Sequence, residues 1–305
     1  MILILAVTGL AAALATARTS VPPDQPLTAN TAARLAAMPA GVRVVAARTV
    51  DLSFTLPDHV TTTSALVLPG GLAVTPTPIP ATALVTAWTV RQGTFAATWV
   101  GHDAVMGFTI VRLARVVPAP RLGPLPADSA VTALSPIISG PQARARFTWA
   151  STTLGDPVTH AAGVVSYLAT PSVANLDGVP GALAVDADGD VVAVLGAQGQ
   201  WFASRFVARV AQIVATGHGC HASLNVATAS AQGGGAQVTN VPLASQARGH
   251  LDVGDVITAI DGHPIDSTSA LATYLYLTAA GGRATLTVLR GTVTHAVVVP
   301  LACGL

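Results

Sequence analysis

Short apolar runs separated by proline and glycine turns constrain the fold of this chain more than any other feature. They recur from about residue 49 to 115 and again beyond residue 145, with "ALVTAWTV", "FTIVRLARV" and "AAGVVSYLA" among the clearest. Many short strands at regular spacing are typical of barrels or sandwiches, whereas βαβ units would alternate strands with longer helices. The sequence therefore predicts a mostly β protein.

Two further segments divide the chain. Residues 116–128 carry four prolines, which cannot sit inside a sheet, so this segment predicts a linker between two β-rich halves. A helical stripe in "SRFVARVAQIVATGHG" closes the second half. The residues from 218 onward form a separate unit with several strands and one helix in "STSALATYLYLTAA", for which Ser267 is the predicted N-cap.

The charged residues are unusual in kind. All 15 cations are arginine and all 14 anions are aspartate, and the formal net charge is +1. Codon bias in a GC-rich genome accounts for this composition. Nucleic-acid binding needs a concentrated cationic face, and no basic stripe is present, so we expect no nucleic-acid partner.

The N-terminus begins with an apolar run from Ile2 to Ala17. As a helix this run would reach roughly 24 Å, a little short of the ~30 Å hydrocarbon layer. Ala15-Thr16-Ala17 fits a small-x-small cleavage site, although the usual cationic start is missing. Residues 1–22 are thus interpreted as a signal peptide or a retained membrane anchor, with a buried core helix as the third reading. The first two place the remainder outside the cytoplasm.

The chain has two cysteines, Cys220 and Cys303. An even number in an exported protein favours one disulfide, and two free buried thiols are the alternative. Two cysteines without a histidine cluster offer too few ligands for zinc, so we expect no metal and no cofactor.

The C-terminal unit carries the most specific motifs. Leu251-Asp252-Val253-Gly254-Asp255-Val256-Ile257 is followed by Asp261-Gly262-His263-Pro264-Ile265 and by the strand "TLTVLRG". This stretch strongly resembles the PDZ domains attached to HtrA-type serine proteases. The resemblance implies a PDZ domain over residues 218–305, and a disulfide between Cys220 and Cys303 would clasp its two ends together.

A PDZ domain binds a peptide beside an open strand edge and a helix, by β-augmentation. The resemblance implies that Ser223-Leu224-Asn225-Val226 is the matching edge, and that Leu271, Tyr274 and Leu275 are candidates for the pocket wall or else simply core residues. Asn225 stands where this family commonly has glycine, which would narrow the loop that binds the peptide carboxylate.

The region before the PDZ unit resembles the HtrA protease domain, a pair of six-stranded β-barrels. "RQGTFAATWVGHDAVMGFTIVRL", "LGDPVTHAAGVVSYLAT" and "GVPGALAVDADGDVVAVLG" follow the order and spacing of that family's segments. The resemblance implies a trypsin-like double barrel over residues 23–217, split near 116–128.

The residues that perform catalysis in that family are missing at the matching positions. The serine position falls on Pro180, the aspartate position on Gly107 and the histidine position on Pro78, the last being the least secure register. A serine triad needs a hydroxyl, an imidazole and a carboxylate. Proline also lacks the backbone N–H that would help to bind the oxyanion. The resemblance therefore implies a protease fold without protease chemistry.

Other polar groups nearby are interpreted as structural. His102, Asp103 and His160 are expected to be surface or packing residues. Asp186, Asp188 and Asp190 in "DADGD" lack the acidic twelfth position of an EF-hand, and the segment is read as a hairpin turn.

Taken together, the sequence predicts an exported or membrane-anchored bacterial pseudoprotease that binds a peptide or protein as a scaffold or accessory subunit of an envelope complex. Two alternatives remain: a hydrolase with a displaced triad, for example around Ser166 or Cys220, and a purely structural subunit of a membrane assembly. HtrA proteases are commonly trimers held by aromatic N-terminal segments. In this chain Phe54 is the only aromatic residue before Trp88, so the resemblance does not extend to that trimer contact.

Overall fold

The computed structural model describes residues 29–56, 58–125, 130–137, 146–159, 165–169, 180–216 and 220–304. The predicted N-terminal helix in residues 1–22 lies outside the described residues, as does His160. No helix within the described ranges is long and apolar enough to cross a membrane.

Two closed antiparallel barrels make up the first two thirds of the chain. The first contains β1 (Val50–Thr55), β2 (Val60–Leu68), β3 (Leu72–Thr75), β4 (Leu84–Thr89), β5 (Gly93–Asp103) and β6 (Phe108–Leu113). The second contains β7 (Ala130–Ile137), β8 (Arg146–Thr159), β9 (Val165–Ala169), β10 (Leu183–Val185), β11 (Val191–Leu195) and β12 (Gln200–Ala203). Their strand orders are β1-β2-β3-β6-β5-β4 and β10-β11-β12-β9-β8-β7, so both barrels share one topology. The prediction of a mostly β, barrel-containing fold is confirmed.

Several strands are buried on both faces, which explains why their sequences read as continuous apolar runs. In β2, Ala65 and Val67 point into the first barrel, whereas Leu66 and Leu68 pack in a second core between the barrels. That second core also receives Leu134 and Leu183 of the other barrel, together with the helix that follows it. The barrels are thus joined by a shared apolar core, because side chains alternate across each strand.

Three helices accompany the barrels: α1 (Ala29–Ala36), α2 (Ala40–Ala46) and α3 (Ser204–Ala215). The closing helix α3 was predicted, and Phe206, Val207 and Val210 on its apolar stripe are buried. Helices α1 and α2 were not predicted. Leu35, Met38, Val42 and Val45 were their signal, because these residues recur at helical spacing and are all buried.

The proline-rich segment after β6 is held more tightly than a free linker. Leu122, between two prolines, forms an isolated parallel bridge with Val191, and the Val191 N–H donates to the Arg121 carbonyl at 2.9 Å. The nearby "DADGD" segment is a hairpin turn between β10 and β11. There the Asp186 carboxylate accepts hydrogen bonds from the N–H groups of Asp188 and Asp190, at 3.0 and 2.9 Å.

Within the described residues the C-terminal unit is a six-stranded sheet, in which β17 pairs with β16 beside the main strand order, with one helix and a short two-stranded clasp. It contains β13 (Ala222–Ser223), β14 (Ala227–Ser230), β15 (Ala236–Asn240), β16 (Val256–Ile260), β17 (His263–Pro264), α4 (Thr268–Tyr276), β18 (Arg283–Arg290), β19 (Val293–Pro300) and β20 (Ala302–Cys303). The main sheet has the order β14-β15-β16-β18-β19, and β13 pairs with β20. Ser267 caps α4 as predicted by accepting from the Ala270 N–H at 3.2 Å, but the helix ends at Tyr276 and not at Gly281.

A disulfide joins Cys220 and Cys303, as predicted, with Cα atoms 5.5 Å apart. It closes a loop of 83 residues and fixes the β13–β20 pair at the two ends of the unit. The bond also rules out Cys220 as the nucleophile of a displaced triad, because its sulfur is bonded to Cys303.

Candidate functional site

The three positions that would carry a protease triad lie in loops at the ends of barrel strands. Pro78 follows β3 and is exposed, Gly107 ends the β5–β6 turn, and Pro180 stands just before β10. The first two are neighbours, since a Cβ on Gly107 would lie 4.0 Å from the carbonyl oxygen of Pro76. The Ile79 N–H also donates to the Thr109 hydroxyl at 3.1 Å. None of the three side chains can donate or accept a proton.

Gly181, the residue after Pro180, lies against the first barrel. Gly181 has φ +87, and a Cβ there would collide with the carbonyl oxygen of Ser64 in β2. Glycine is required at 181 because the backbones of two barrels meet there. Gly181 is therefore held closely against β2 of the first barrel.

Hydroxyl groups line the end of β3 beside these positions. The Thr63 Oγ1 lies 2.8 Å from the Thr75 Oγ1 and 2.7 Å from the Thr77 Oγ1. These three neutral groups satisfy one another. A hydroxyl becomes a useful nucleophile only beside a base, and these contacts supply none.

Asp51 is a buried acid that the sequence analysis did not single out. It lies on β1 opposite Ser64, whose hydroxyl donates to the Asp51 Oδ1 at 3.2 Å. Burial raises the pKa of the Asp51 carboxyl to about 7, and the Ser64 hydrogen bond opposes this only in part. The carbonyl oxygen of Ser64 also lies against Gly181, the residue after Pro180. Ser64 therefore stands between Asp51 and that position. The position of Asp51 on an outward face of β1, among apolar residues, left no sequence signal.

His102 and Asp103, considered as replacements for the missing triad, point to different surroundings. His102 is exposed and lies 3.1 Å from the Thr109 hydroxyl. Asp103 is buried, and its Oδ2 accepts a 2.5 Å hydrogen bond from the Tyr276 hydroxyl of the C-terminal unit. Asp103 therefore acts at a domain junction.

That junction joins the first barrel, α3 and the C-terminal unit. The His221 ring stacks on the Tyr276 ring at 3.7 Å, and its two nitrogens face the Tyr276 carbonyl and the Asp103 carboxylate. Phe206 stacks on the other side of Tyr276 at 5.8 Å. Burial alone would raise the pKa of the Asp103 carboxyl, but hydrogen bonds from His221 and Tyr276 lower it overall. Burial and the Asp103 charge raise the pKa of the Tyr276 hydroxyl well above its usual value, so it remains a donor.

The second candidate site is the edge of the C-terminal sheet beside α4. The edge strand is β14, Ala227–Ser230, and its outer side has no strand partner within the described residues. The Thr268 N–H, at the start of α4, donates to the Ser230 hydroxyl at 3.2 Å. Strand and helix therefore lie next to each other, and the strip of surface between them is called the groove below.

The predicted edge segment occupies a different place from the one expected. Ser223 belongs to β13, Leu224–Val226 form a turn, and the open edge begins at Ala227. This is a correction of position: Ser223–Val226 leads into the edge strand, and its part in peptide binding stays a prediction.

The remaining predicted residues gather around one apolar cluster. Leu224 and Leu271 are buried in it, with 3% of each exposed, so Leu271 is a core residue. Val226 and Leu275 are half-buried against the same cluster, one from each side of the groove. Tyr274 is also half-buried, and its hydroxyl donates to the Asp261 carboxylate at 3.1 Å.

A further concave region of about 640 Å³ lies between α1, α2 and the first barrel. Its arginines have structural partners. Arg43 donates to the Ala36 and Met38 carbonyls, and Arg48 donates to the Ala119 carbonyl. Among the described residues no group of three or more His, Cys or Asp side chains is arranged to hold a metal ion.

Comparison with known proteins supports both halves of the fold. Residues 222–301 match the PDZ domain family. The HtrA-type protease AlgW, solved with a tripeptide, matches with a TM-score of 0.65 and 19% identity over 88% of this chain and 98% of that one. AlgW with a decapeptide matches with a TM-score of 0.58 and 17% identity, over 85% and 96% of the two chains. A serine endoprotease from Yersinia pestis matches with a TM-score of 0.56 and 15% identity, over 87% of this chain and 97% of that one. No curated protein matches this sequence.

The chain therefore has a trypsin-like double-barrel fold similar to that of HtrA-type proteases, followed by a C-terminal PDZ domain. At identities of 15–19% the structural likeness establishes the fold of the barrels and not their activity.

Proposed function

We propose that this chain is a non-catalytic HtrA-like protein that binds an extended peptide segment at its PDZ domain. It would act as a scaffold or accessory subunit in a bacterial cell envelope, held at the membrane if residues 1–22 are retained. The observation that carries the proposal is the open edge strand β14 beside α4, with half-buried apolar side chains on both sides.

The absence of catalysis is argued from chemistry at the predicted triad positions. Pro78, Gly107 and Pro180 offer no base, no carboxylate and no nucleophile, and the proline at 180 removes an oxyanion donor as well. The disulfide further reduces the choice of nucleophiles, because it occupies Cys220. AlgW, which has a similar fold, was solved with a decapeptide and with a tripeptide. This supports our proposal that the present chain also binds a peptide.

Binding and cleavage can be tested together on the full chain in detergent. A library of short peptides is screened for binding, and unfolded casein serves as the substrate. We expect binding without cleavage, and no labelling by a fluorophosphonate probe. Cleavage that persists through repurification, with labelling of a serine such as Ser166, would contradict the non-catalytic proposal.

The groove itself is tested with a matched pair of variants. Leu275→Ser removes an apolar side chain at the groove, and Val298→Ser removes an exposed valine on the opposite edge strand β19. We expect the first variant to weaken peptide binding by roughly tenfold, since burial of such a side chain contributes about 1.5–3 kcal/mol. The second should leave binding unchanged. Equal effects of both variants would place the ligand elsewhere.

A further inference from the structure

The turn that enters the edge strand has an unusual internal hydrogen bond. The Asn225 N–H donates to the Ser223 hydroxyl at 2.9 Å, and that hydroxyl donates in turn to the Asn225 Oδ1 at 3.2 Å. Asn225 has φ 51, in the left-handed region that asparagine tolerates better than most residues. Side chain and backbone of this turn therefore form a closed ring of hydrogen bonds.

A free peptide carboxylate is captured by several backbone N–H groups that point at one spot. In this chain a left-handed residue lies at the entrance to the open edge, which is the geometry of such a nest. One of its N–H groups is already occupied by Ser223. The Ser223 hydroxyl proton is occupied as well, because it is donated to the Asn225 Oδ1.

The segments that form the groove also carry no cation of their own. Residues 223–230 and 267–277, which form the turn, the edge strand and the helix, contain no arginine, lysine or histidine. A carboxylate that loses water on binding must be compensated by charge or by several hydrogen bonds. This turn provides fewer donors than an unblocked nest, and the groove segments provide no compensating charge.

We propose that this groove takes an internal extended segment of a protein and does not select a free C-terminal carboxylate. This inference rests on the proposed function, since it concerns the ligand of the same groove. An internal segment pairs with β14 through its peptide groups alone and leaves the Ser223–Asn225 ring intact.

The test uses one set of peptides in three forms, on the full chain. Short peptides that end in an apolar residue are made as the free acid, as the C-terminal amide, and with a further polar extension. Wild-type protein should bind the amide and the extended form at least as tightly as the acid. Ser223→Ala releases the Asn225 N–H and should improve binding of the acid alone by about tenfold, because hydrogen bonds to charged groups are the strong ones.

Two further variants separate this effect from a loss of structure. Ser223→Thr keeps the hydroxyl and should keep the wild-type ratio of amide to acid. Ser269→Ala, on α4, should also leave that ratio unchanged. A wild-type protein that prefers the acid tenfold, with no change of ratio in Ser223→Ala, would overturn this inference while leaving the proposed function standing. Binding of none of the three forms would overturn the proposed function itself.

Discussion

The barrels and the PDZ domain are both recognisable as scaffolds, but they differ in what their sites depend on. Catalysis at a protease cleft depends on three particular side chains, whereas strand addition at a sheet edge depends on backbone groups that any sequence supplies. On the proposed assignment, Pro78, Gly107 and Pro180 supply none of these side chains, and the barrels around them are closed. The edge strand β14 presents its backbone groups whatever residue stands at position 225 in the neighbouring turn.

The difference teaches that the contacts which maintain the barrel fold do not depend on the side chains that catalysis needs. The barrels are maintained by two-sided burial of their strands, and Gly181 still meets Ser64 at the loop before β10. Such contacts stabilise the protein whether or not a nucleophile is present. The following predictions test which contacts stabilise the barrels and which stabilise the PDZ domain.

The largest effect is expected from Gly181→Ala in the barrels. Its Cβ would collide with the Ser64 backbone at a positive φ, so we expect a loss of about 2–5 kcal/mol in the free energy of unfolding. Gly199→Ala is the control, because φ is +82 there but no atom lies within 4 Å of the new Cβ. Urea unfolding of both variants measures the difference. Similar losses in the two would mean that the loop yields easily and that barrel packing does not hold it.

On the PDZ side, the disulfide should contribute the most. Cys303→Ser opens a loop of 83 residues and should lower the stability of this domain by about 2–4 kcal/mol. The change is measured by urea unfolding followed through Tyr274 and Tyr276 fluorescence. Mild reduction of the wild-type protein should reproduce it. A variant as stable as the oxidised wild type would show that the β13–β20 pair suffices without the covalent clasp.

A somewhat smaller effect is expected at the junction between the two regions. Tyr276→Phe removes the hydrogen bond to buried Asp103 and should destabilise the protein by about 1.5–3 kcal/mol. It should also separate the thermal transitions of the barrels and the PDZ domain in calorimetry. Tyr274→Phe, which loses only a bond to exposed Asp261, is the matched control. Unchanged cooperativity in Tyr276→Phe would mean that stacking of His221 and Phe206 alone couples the domains.

The sequence predicted most of the scaffold, for identifiable reasons. Period-two and continuous apolar runs located the barrel strands, the apolar stripe located α3, and the Leu251–Ile257 motif located the PDZ domain. The two cysteines lie at the two ends of that domain, and they form a disulfide as predicted. Helices α1 and α2 were missed because a proline divides one short helical pattern into two.

Features that depend on tertiary contact could not be predicted. Asp103 was interpreted only as a surface or packing residue, and its partner Tyr276 is far away in sequence at 173 residues. The open edge began at Ala227 and not at Ser223, because pairing of β13 with β20 is a long-range contact. Asp51 had no local signal at all, since its burial is produced by strands that come later in the chain.

Asp51 gives a predicted effect that depends on pH, and one that only the folded barrels can produce. Its pKa is raised from 3.8 to about 7, so the folded protein keeps a proton that the unfolded chain releases above about pH 4. The free energy of unfolding should therefore fall as pH rises from about 4 to 7, by at most about 1.4 kcal/mol per pH unit from this group, and then level off. Asp51→Asn should remove this part of the slope and raise the melting temperature at pH 8, whereas Asp188→Asn, on an exposed turn, should do neither. A slope that persists in Asp51→Asn would show that this carboxyl is ionised in the folded barrel, and that water reaches the loop of Pro180 more readily than its packing implies.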